Sequence, residues 1–245
     1  MGSNVGVKGS TSGNAAHKRR IKMDIMKFFR KFGDLGINGA AARWYDRNSR
    51  GHRMEEMRGY AKEAAGYIKD RDSVLEIAPG PGYLSIELAK MGKYKITGID
   101  ISRDFVEIAR KNAKEAGVEA EFLQGNVAAM PFPGNMFDFI ICTAAFKNFK
   151  EPIKALEEMH RVLREGGTAL IIDMNGNVSD KEIKASIKDM GEKGMEAVFM
   201  KLVFKYFLKS GAYTGDEFIS MISKTGFKKF DIKKQGIGFN IYLQK

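Results

Sequence analysis

The sequence has few of the residues that build disulfides and metal sites. Cys142 is the one cysteine, so no intrachain disulfide can form and a zinc site made of several thiolates is excluded. We predict no metal site. The three histidines, His17, His52 and His160, leave few candidates for a general base. A single cysteine suits a reducing compartment, and we expect the protein in the cytoplasm.

Long apolar runs are also missing. No stretch approaches the roughly 18 apolar residues that a membrane-spanning helix needs. The first 17 residues are rich in Gly, Ser and Asn and lack the apolar centre of a secretory signal. We expect residues 1–20 to form a disordered basic tail.

Acidic residues are scarce in the first quarter of the chain. Residues 1–60 hold 13 of the 41 Lys and Arg and 5 of the 30 Asp and Glu, which gives +8 of the net +11. A solvated tail and helix account for this concentration better than a nucleic-acid face does, so nucleic acid is not the expected partner. Residues 21–32 are predicted to form a helix with an aromatic face and a basic face. We expect this helix to dock onto the domain, with a peripheral membrane contact as the alternative.

From residue 73 onward, short apolar strands alternate with helices. The pattern predicts strands at 73–77, 95–99, 119–123, 137–142 and 168–172, and helices at 82–91, 103–116 and 151–164. A closing hairpin is expected at 227–233 and 238–243. The prediction is therefore an α/β, Rossmann-like, seven-stranded sheet, mostly parallel with an antiparallel last strand and helices on both faces. Residues 21–70, with a helix at 54–68, form a helical lid before the domain at 71–245, and a helical cap is inserted at 176–214.

The turn after the first strand lacks the third glycine of a dinucleotide fingerprint. It reads Ala78-Pro79-Gly80-Pro81-Gly82, and its prolines remove backbone N–H groups that would hold a diphosphate. An uncharged ribose or an amino-acid group fits such a turn better. Asp100, at the end of the second strand, is placed to accept ribose hydroxyls, and Asn126 can bind an adenine edge. Glu76 could bind an ammonium group or order the loop.

Several motifs, in this order, resemble class I S-adenosylmethionine-dependent methyltransferases. They are the glycine turn, Ile99–Ser102, Gly125–Val127, Met130–Phe132, Phe137–Cys142 and Met159–Gly167. The closest resemblance is to the small-molecule branch around the ubiquinone/menaquinone-biosynthesis enzymes. It implies S-adenosylmethionine as cofactor and S-adenosylhomocysteine as product. The family's turn is usually E-x-G-x-G-x-G, so Ala78 departs from it, and Asn126 stands where Asp is common.

The resemblance also assigns cofactor contacts. It places Glu76, Ala78, Gly80 and Gly82 on the methionine side and Asp100 at the ribose. Adenine contacts come from Ile101, Asn126 and Val127, while Thr143 lies near the methionine carboxylate or sulfonium and Tyr45 closes over the cofactor.

Acceptor contacts are expected after the fourth strand and in the cap. The candidates are Phe146, Lys147, Asn148, Phe149, Phe199 and Tyr213, with at least one of Phe146 and Phe149 in the core. The apolar cap predicts a small apolar or aromatic acceptor. Transfer would be an in-line displacement catalysed mainly by positioning, with His52 as the candidate general base. A monomer or a homodimer is expected.

Two alternatives remain open at this point. An RNA-directed methyltransferase is suggested by the net charge, but amino-methylating enzymes carry an Asn/Asp-Pro-Pro-aromatic motif after the fourth strand. Thr143-Ala144-Ala145-Phe146 stands there without either proline. The other alternative is a non-catalytic protein that binds S-adenosylmethionine.

Overall fold

The computed structural model describes residues 37–189 and 211–245. The predicted basic tail, the whole segment 21–32, and residues 190–210 of the predicted cap, with Phe199, lie outside these residues. The strands are β1 Ser73–Ile77, β2 Lys95–Asp100, β3 Glu121–Gln124, β4 Phe137–Thr143, β5 Leu163–Met174, β6 Lys229–Gln235 and β7 Gly238–Gln244. The helices are α1 Ala40–Ala65, α2 Tyr83–Ala89, α3 Arg103–Ala116, α4 Pro152–Val162, α5 Asp180–Asp189 and α6 Gly215–Ile222, with a 3₁₀ turn at Phe146–Asn148.

The seven strands form one sheet in the order β3-β2-β1-β4-β5-β7-β6. The first five pair in parallel, and β7 runs antiparallel to both β5 and β6. The predicted fold class is confirmed. Strand order reverses between β1 and β4, because the chain runs outward from β1 through β2 to β3 and then returns to β4 beside β1.

The core lies on both faces of this sheet. One face packs against α4 and α6 through residues such as Leu156 and Phe218, and the other packs against α1 and α2 through residues such as Met57 and Leu84. A sheet buried on both faces explains the nearly continuous apolar sequence of its central strands. In the described part of the chain, no helix is long and apolar enough to cross a membrane.

The helix α1 is longer than the sequence predicted. It was expected from residue 54, but the structure starts it at Ala40 and carries it through Gly51 and Gly59. Ala42, Ala61 and Ala64 on one side of α1 are fully buried. Small buried side chains let α1 pack closely on its neighbours, and this packing outweighs the low helix propensity of the two glycines.

The junction of α4 and β5 also differs from the prediction. The helix was expected at 151–164 and the strand at 168–172, yet the helix ends at Val162 and β5 begins at Leu163. The β4–β5 pairing shifts register between Phe137 and Phe139, as at a β-bulge. A Cβ on Gly167 would lie 2.9 Å from the Asp138 carbonyl oxygen, so this glycine permits close strand approach.

Candidate functional site

The loops after β1 and β4 leave the sheet in opposite directions. Ala78 follows β1 and its N–H donates to the Ile99 carbonyl of β2 over 2.8 Å, while the Ala144 N–H donates to the Ile172 carbonyl of β5 over 2.7 Å. Both alanines are left-handed, with φ of 53° and 54°. The divergence opens a crevice at the carboxyl ends of the central strands, which is where open α/β sheets bind ligands.

The two glycines of the turn serve different purposes. Both have positive φ, 54° at Gly80 and 79° at Gly82. A Cβ on Gly82 would lie 3.0 Å from Cβ of Ala109 and 3.0 Å from Cζ of Phe122, so Gly82 allows α2 and α3 to pack closely. A Cβ on Gly80 would meet nothing within 4 Å. The backbone at Gly80 therefore faces open space, into which a ligand can approach.

Glu76 is buried beneath this turn. Its carboxylate accepts hydrogen bonds from the Ser85 N–H, at 2.9 Å, and from the Ser85 hydroxyl. Burial raises the pKa of Glu76 to about 7, although the two bonds from Ser85 act in the opposite direction. Of the two roles left open by the sequence, these contacts favour ordering the loop, because they tie β1 to α2 across the turn.

Asp100 joins the ends of the first two strands. One carboxylate oxygen accepts from the Gly80 N–H at 3.0 Å and the other accepts from the Ser102 N–H at 2.8 Å. The side chain is buried, and burial raises its pKa against the effect of these two bonds. Each carboxylate oxygen can accept more than one hydrogen bond, so Asp100 keeps capacity for hydroxyl donors.

A cavity of about 110 Å³ lies next to these groups. Its lining includes Ala78, Ile99, Ile101, Asn126, Val127 and Phe149. Four of the predicted cofactor residues therefore share one cavity, together with one predicted acceptor residue. Ile99 was not singled out from the sequence because nothing distinguishes it from the other apolar residues of a buried strand.

Asn126 is exposed at the rim of this cavity. Its side-chain oxygen accepts from the Ala128 N–H at 2.9 Å, which closes a local turn. The amide group is thereby held in a defined orientation and retains donor capacity. This orientation is compatible with the predicted contact to a base edge.

The predicted acceptor residues after β4 separate into two groups. Phe146 is completely buried, with its ring centroid 5.2 Å from that of Phe218 and 5.9 Å from that of Tyr213. It belongs to the core, as expected for at least one of the two phenylalanines. Phe149 and Tyr213 are half-buried, whereas Asn148 is exposed.

Lys147 takes part in a buried ion pair that the sequence did not reveal. Its Nζ lies 3.2 Å from Oδ1 of Asp173, with only 8% and 2% of the two side chains exposed. The Lys147 N–H also donates to Oδ2 of Asp173 at 3.1 Å. Asp173 lies near the carboxyl end of β5, the strand that pairs with β4. These contacts fix the segment where acceptor contacts were predicted.

The remaining predicted residues lie around this centre. Thr143 is buried at the end of β4. Tyr45 is on α1, and its ring packs edge-on against Phe105 at 5.7 Å, away from the cavity lining. His52 lies within α1, but its side chain is outside the described part of the structure.

Comparison with known proteins gives the family. Residues 68–229 match the model of a family described as a methyltransferase domain. The chain is 31% identical over 163 residues to a demethylmenaquinone methyltransferase of Chlorobaculum tepidum, covering 64% of this chain and 65% of the relative. It is 36% identical over 106 residues to the ubiquinone/menaquinone biosynthesis C-methyltransferase UbiE of Bdellovibrio bacteriovorus, covering 43% and 45%. The matches thus span about half to two thirds of these relatives.

Solved structures share the fold. An S-adenosylmethionine-dependent methyltransferase from Aquifex aeolicus superposes with a TM-score of 0.61 at 23% identity, covering 82% of this chain and 95% of that one. The plantazolicin methyltransferase BpumL, solved with a monoazolic desmethylPZN analog and S-adenosylhomocysteine, superposes with a TM-score of 0.60 at 16% identity, covering 92% of this chain and 99% of that one. The resemblance deduced from the motifs is therefore confirmed. With its seven-stranded sheet, its glycine turn and a family match over most of its length, the chain belongs to the S-adenosylmethionine-dependent methyltransferase family.

Proposed function

We propose that this protein transfers a methyl group from S-adenosylmethionine to a small apolar or aromatic acceptor. The observation that carries the proposal is the convergence, at the carboxyl ends of β1 and β2, of open backbone at Gly80, the Asp100 carboxylate and a largely apolar cavity. These are the groups that a nucleoside joined to an amino acid requires. They therefore fit the cofactor of the family.

The chain's residues have distinct proposed roles at this site. Asp100 accepts the ribose hydroxyls, and Ile101 and Val127 enclose the adenine ring while Asn126 binds its polar edge. Glu76 acts indirectly by holding the turn through Ser85. The bound cofactor supplies a methyl group already activated on a sulfonium. The protein then has to align the acceptor and exclude water, and catalysis is mainly by positioning.

The acceptor class is inferred from the walls beyond β4. Phe149 and Tyr213 are half-buried, and their rings both pack on Phe146, at 5.3 and 5.9 Å. Aromatic walls favour an apolar or aromatic acceptor. The names of the curated relatives point to quinone precursors, which are of this class. We therefore propose a quinone-like ring as the first acceptor to test.

A labelling experiment tests this function. The purified protein is incubated with cell extract and methyl-labelled S-adenosylmethionine, and products are identified by mass spectrometry. A labelled apolar product that is absent with the Asp100→Ala variant supports the proposal. Labelled RNA, or only hydrophilic products, would contradict the acceptor class. S-adenosylhomocysteine binding without any labelled product would favour the non-catalytic alternative. The cytoplasmic location, the membrane contact, the general base at His52 and the oligomeric state stay predictions.

A further inference from the structure

A chain of hydrogen bonds joins helix α1 to the glycine turn. Asn112 of α3 is buried, and its Nδ2 donates to the Pro81 carbonyl at 2.9 Å and to Oδ1 of Asp46 at 3.1 Å. Asp46 belongs to α1, whereas Pro81 stands between the two left-handed glycines of the turn. One amide group therefore bridges two segments that are 35 residues apart in sequence.

The Asp46 side chain accepts hydrogen bonds from residues of α1, α2 and α3. Besides Asn112, its Oδ1 accepts from the Tyr83 hydroxyl at 2.7 Å and from Arg50 at 3.3 Å. Arg50 in turn donates to Oδ1 of Asn112 at 2.6 Å, so every polar atom of that amide has a partner. Burial and the bond to Asp46 raise the pKa of Tyr83 to about 12, which keeps its hydroxyl a donor.

The turn itself has few restraints of its own. Gly80 and Gly82 can adopt many backbone conformations, and Gly82 at the N-cap of α2 has no side chain to cap the helix, so Glu76 of β1 holds the Ser85 N–H instead. Its conformation therefore depends on bonds from outside. On the β2 side, Asp100 holds the Gly80 N–H. On the helical side, Asn112 holds the Pro81 carbonyl.

A second set of contacts ties the segment just before α1 to the end of β2 and the start of α3. The Ser102 hydroxyl donates to the Ile37 carbonyl at 2.6 Å, just before α1, while the Ser102 N–H donates to Asp100. The Gly39 N–H donates to Asp104 at 2.9 Å. The segment from Ile37 to Asp46 is thus bonded directly to Asn112 and, through Ser102, to Asp100.

We propose that Asn112 and Asp46 are positioning residues for the cofactor turn, through which the docking of α1 sets the affinity for the cofactor. Neither residue lines the cavity. They act through the Pro81 carbonyl, and the loss of either one frees the turn to leave its binding conformation. The inference rests on the proposed cofactor site.

The affinity for S-adenosylhomocysteine tests the proposal. Wild type, Asn112→Ala, Asp46→Ala and the double variant are titrated calorimetrically at a temperature at which circular dichroism shows each to be folded. Each single variant is expected to bind about tenfold more weakly, within the usual range of coupling between sites. The double variant should be weakened by about the same factor rather than by the product, since both substitutions break one chain of bonds.

The matched control is Lys111→Ala. Lys111 is the neighbour of Asn112 on α3, and its exposed ammonium only pairs with Glu115. This variant should bind S-adenosylhomocysteine as wild type does. A merely structural role for Asn112 would lower the melting temperature and leave the affinity unchanged, and that result would overturn the proposal.

The single tryptophan offers a second readout. Trp44 lies on α1, two residues before Asp46, and is 62% exposed. Saturation with S-adenosylhomocysteine should change its emission in wild type and Lys111→Ala, but less in Asn112→Ala. If Asn112→Ala does not fold, Tyr83→Phe removes the hydroxyl that donates to Oδ1 and to the backbone carbonyl of Asp46, and it should weaken binding by about threefold.

The cofactor site and the positioning role of Asn112 can be refuted separately. If wild-type protein does not bind S-adenosylhomocysteine, the proposed cofactor site is wrong and the positioning role falls with it. If wild type binds and all the Asn112, Asp46 and Tyr83 variants that fold bind equally well, only the positioning role is wrong.

Discussion

Replacing Glu76 by Gln should change how stability depends on pH. The ordinary pKa of this carboxyl is 4.5, and burial raises it to about 7 in the folded protein. The folded state therefore binds a proton in a pH range in which the unfolded chain has already lost it. Glu76 contributes stability that is fully present below pH 4.5 and is lost as the pH rises through 7.

The size of the effect follows from the two pKa values. The difference between 4.5 and about 7 corresponds to about 3 kcal/mol of unfolding free energy. Glutamine remains neutral and keeps an oxygen that can accept from the Ser85 N–H. Glu76→Gln should therefore resemble wild type near pH 4.5 and exceed it in stability by up to about 3 kcal/mol at pH 8.

Urea unfolding of both proteins at four pH values from 5 to 8 measures this. The other titrating groups are the same in variant and wild type, so their contributions cancel in the difference between the two unfolding free energies. Glu107→Gln is the control, because Glu107 lies exposed on α3. If the unfolding free energy of Glu76→Gln relative to wild type changes with pH as little as that of Glu107→Gln, the reasoning is refuted.

Three further substitutions probe the crevice. Asp173→Ala leaves the Lys147 charge buried without its partner and should lower the unfolding free energy by about 3–5 kcal/mol, whereas Asp173→Leu combined with Lys147→Met should recover most of the loss. Ala78→Gly relieves a left-handed alanine and should raise the unfolding free energy by about 0.5–1 kcal/mol. Gly82→Ala adds a Cβ 3.0 Å from Ala109 at a φ of 79° and should lower it by about 2–4 kcal/mol. Denaturant unfolding measures all three.

Each of these expectations can fail on its own. An Asp173→Ala variant as stable as wild type would mean that Lys147 reaches water. A destabilised Ala78→Gly would show that Ala78 is not left-handed. A Gly82→Ala protein with unchanged stability would show that α2 and α3 are not in close contact at this point.

The parts of the fold that follow from local chemistry were predicted from the sequence. Strand β1 and helix α3 have the predicted bounds, since a short, nearly continuous apolar run marks the first and Ser102 and Gly117 cap the second. The glycine turn and Asp100 lie next to each other because parallel strands bring their carboxyl ends together.

Other features depend on contacts that leave no local pattern. The start of α1 was missed because its helix passes through glycines and is stabilised by buried alanines. Gly166-Gly167 has the appearance of a helix stop, but tertiary pairing makes it part of β5. The Lys147–Asp173 pair and the Asp46–Asn112 bond join residues 26 and 66 positions apart. No periodicity or spacing rule reports such pairs.

The central claim is that the cofactor binds at the carboxyl ends of β1 and β2, held by Asp100. Calorimetric titration of wild type and Asp100→Ala with S-adenosylhomocysteine tests it most directly. We expect one site per chain in wild type and no measurable binding in the variant, with both proteins folded by circular dichroism. Unchanged affinity in Asp100→Ala would contradict the claim.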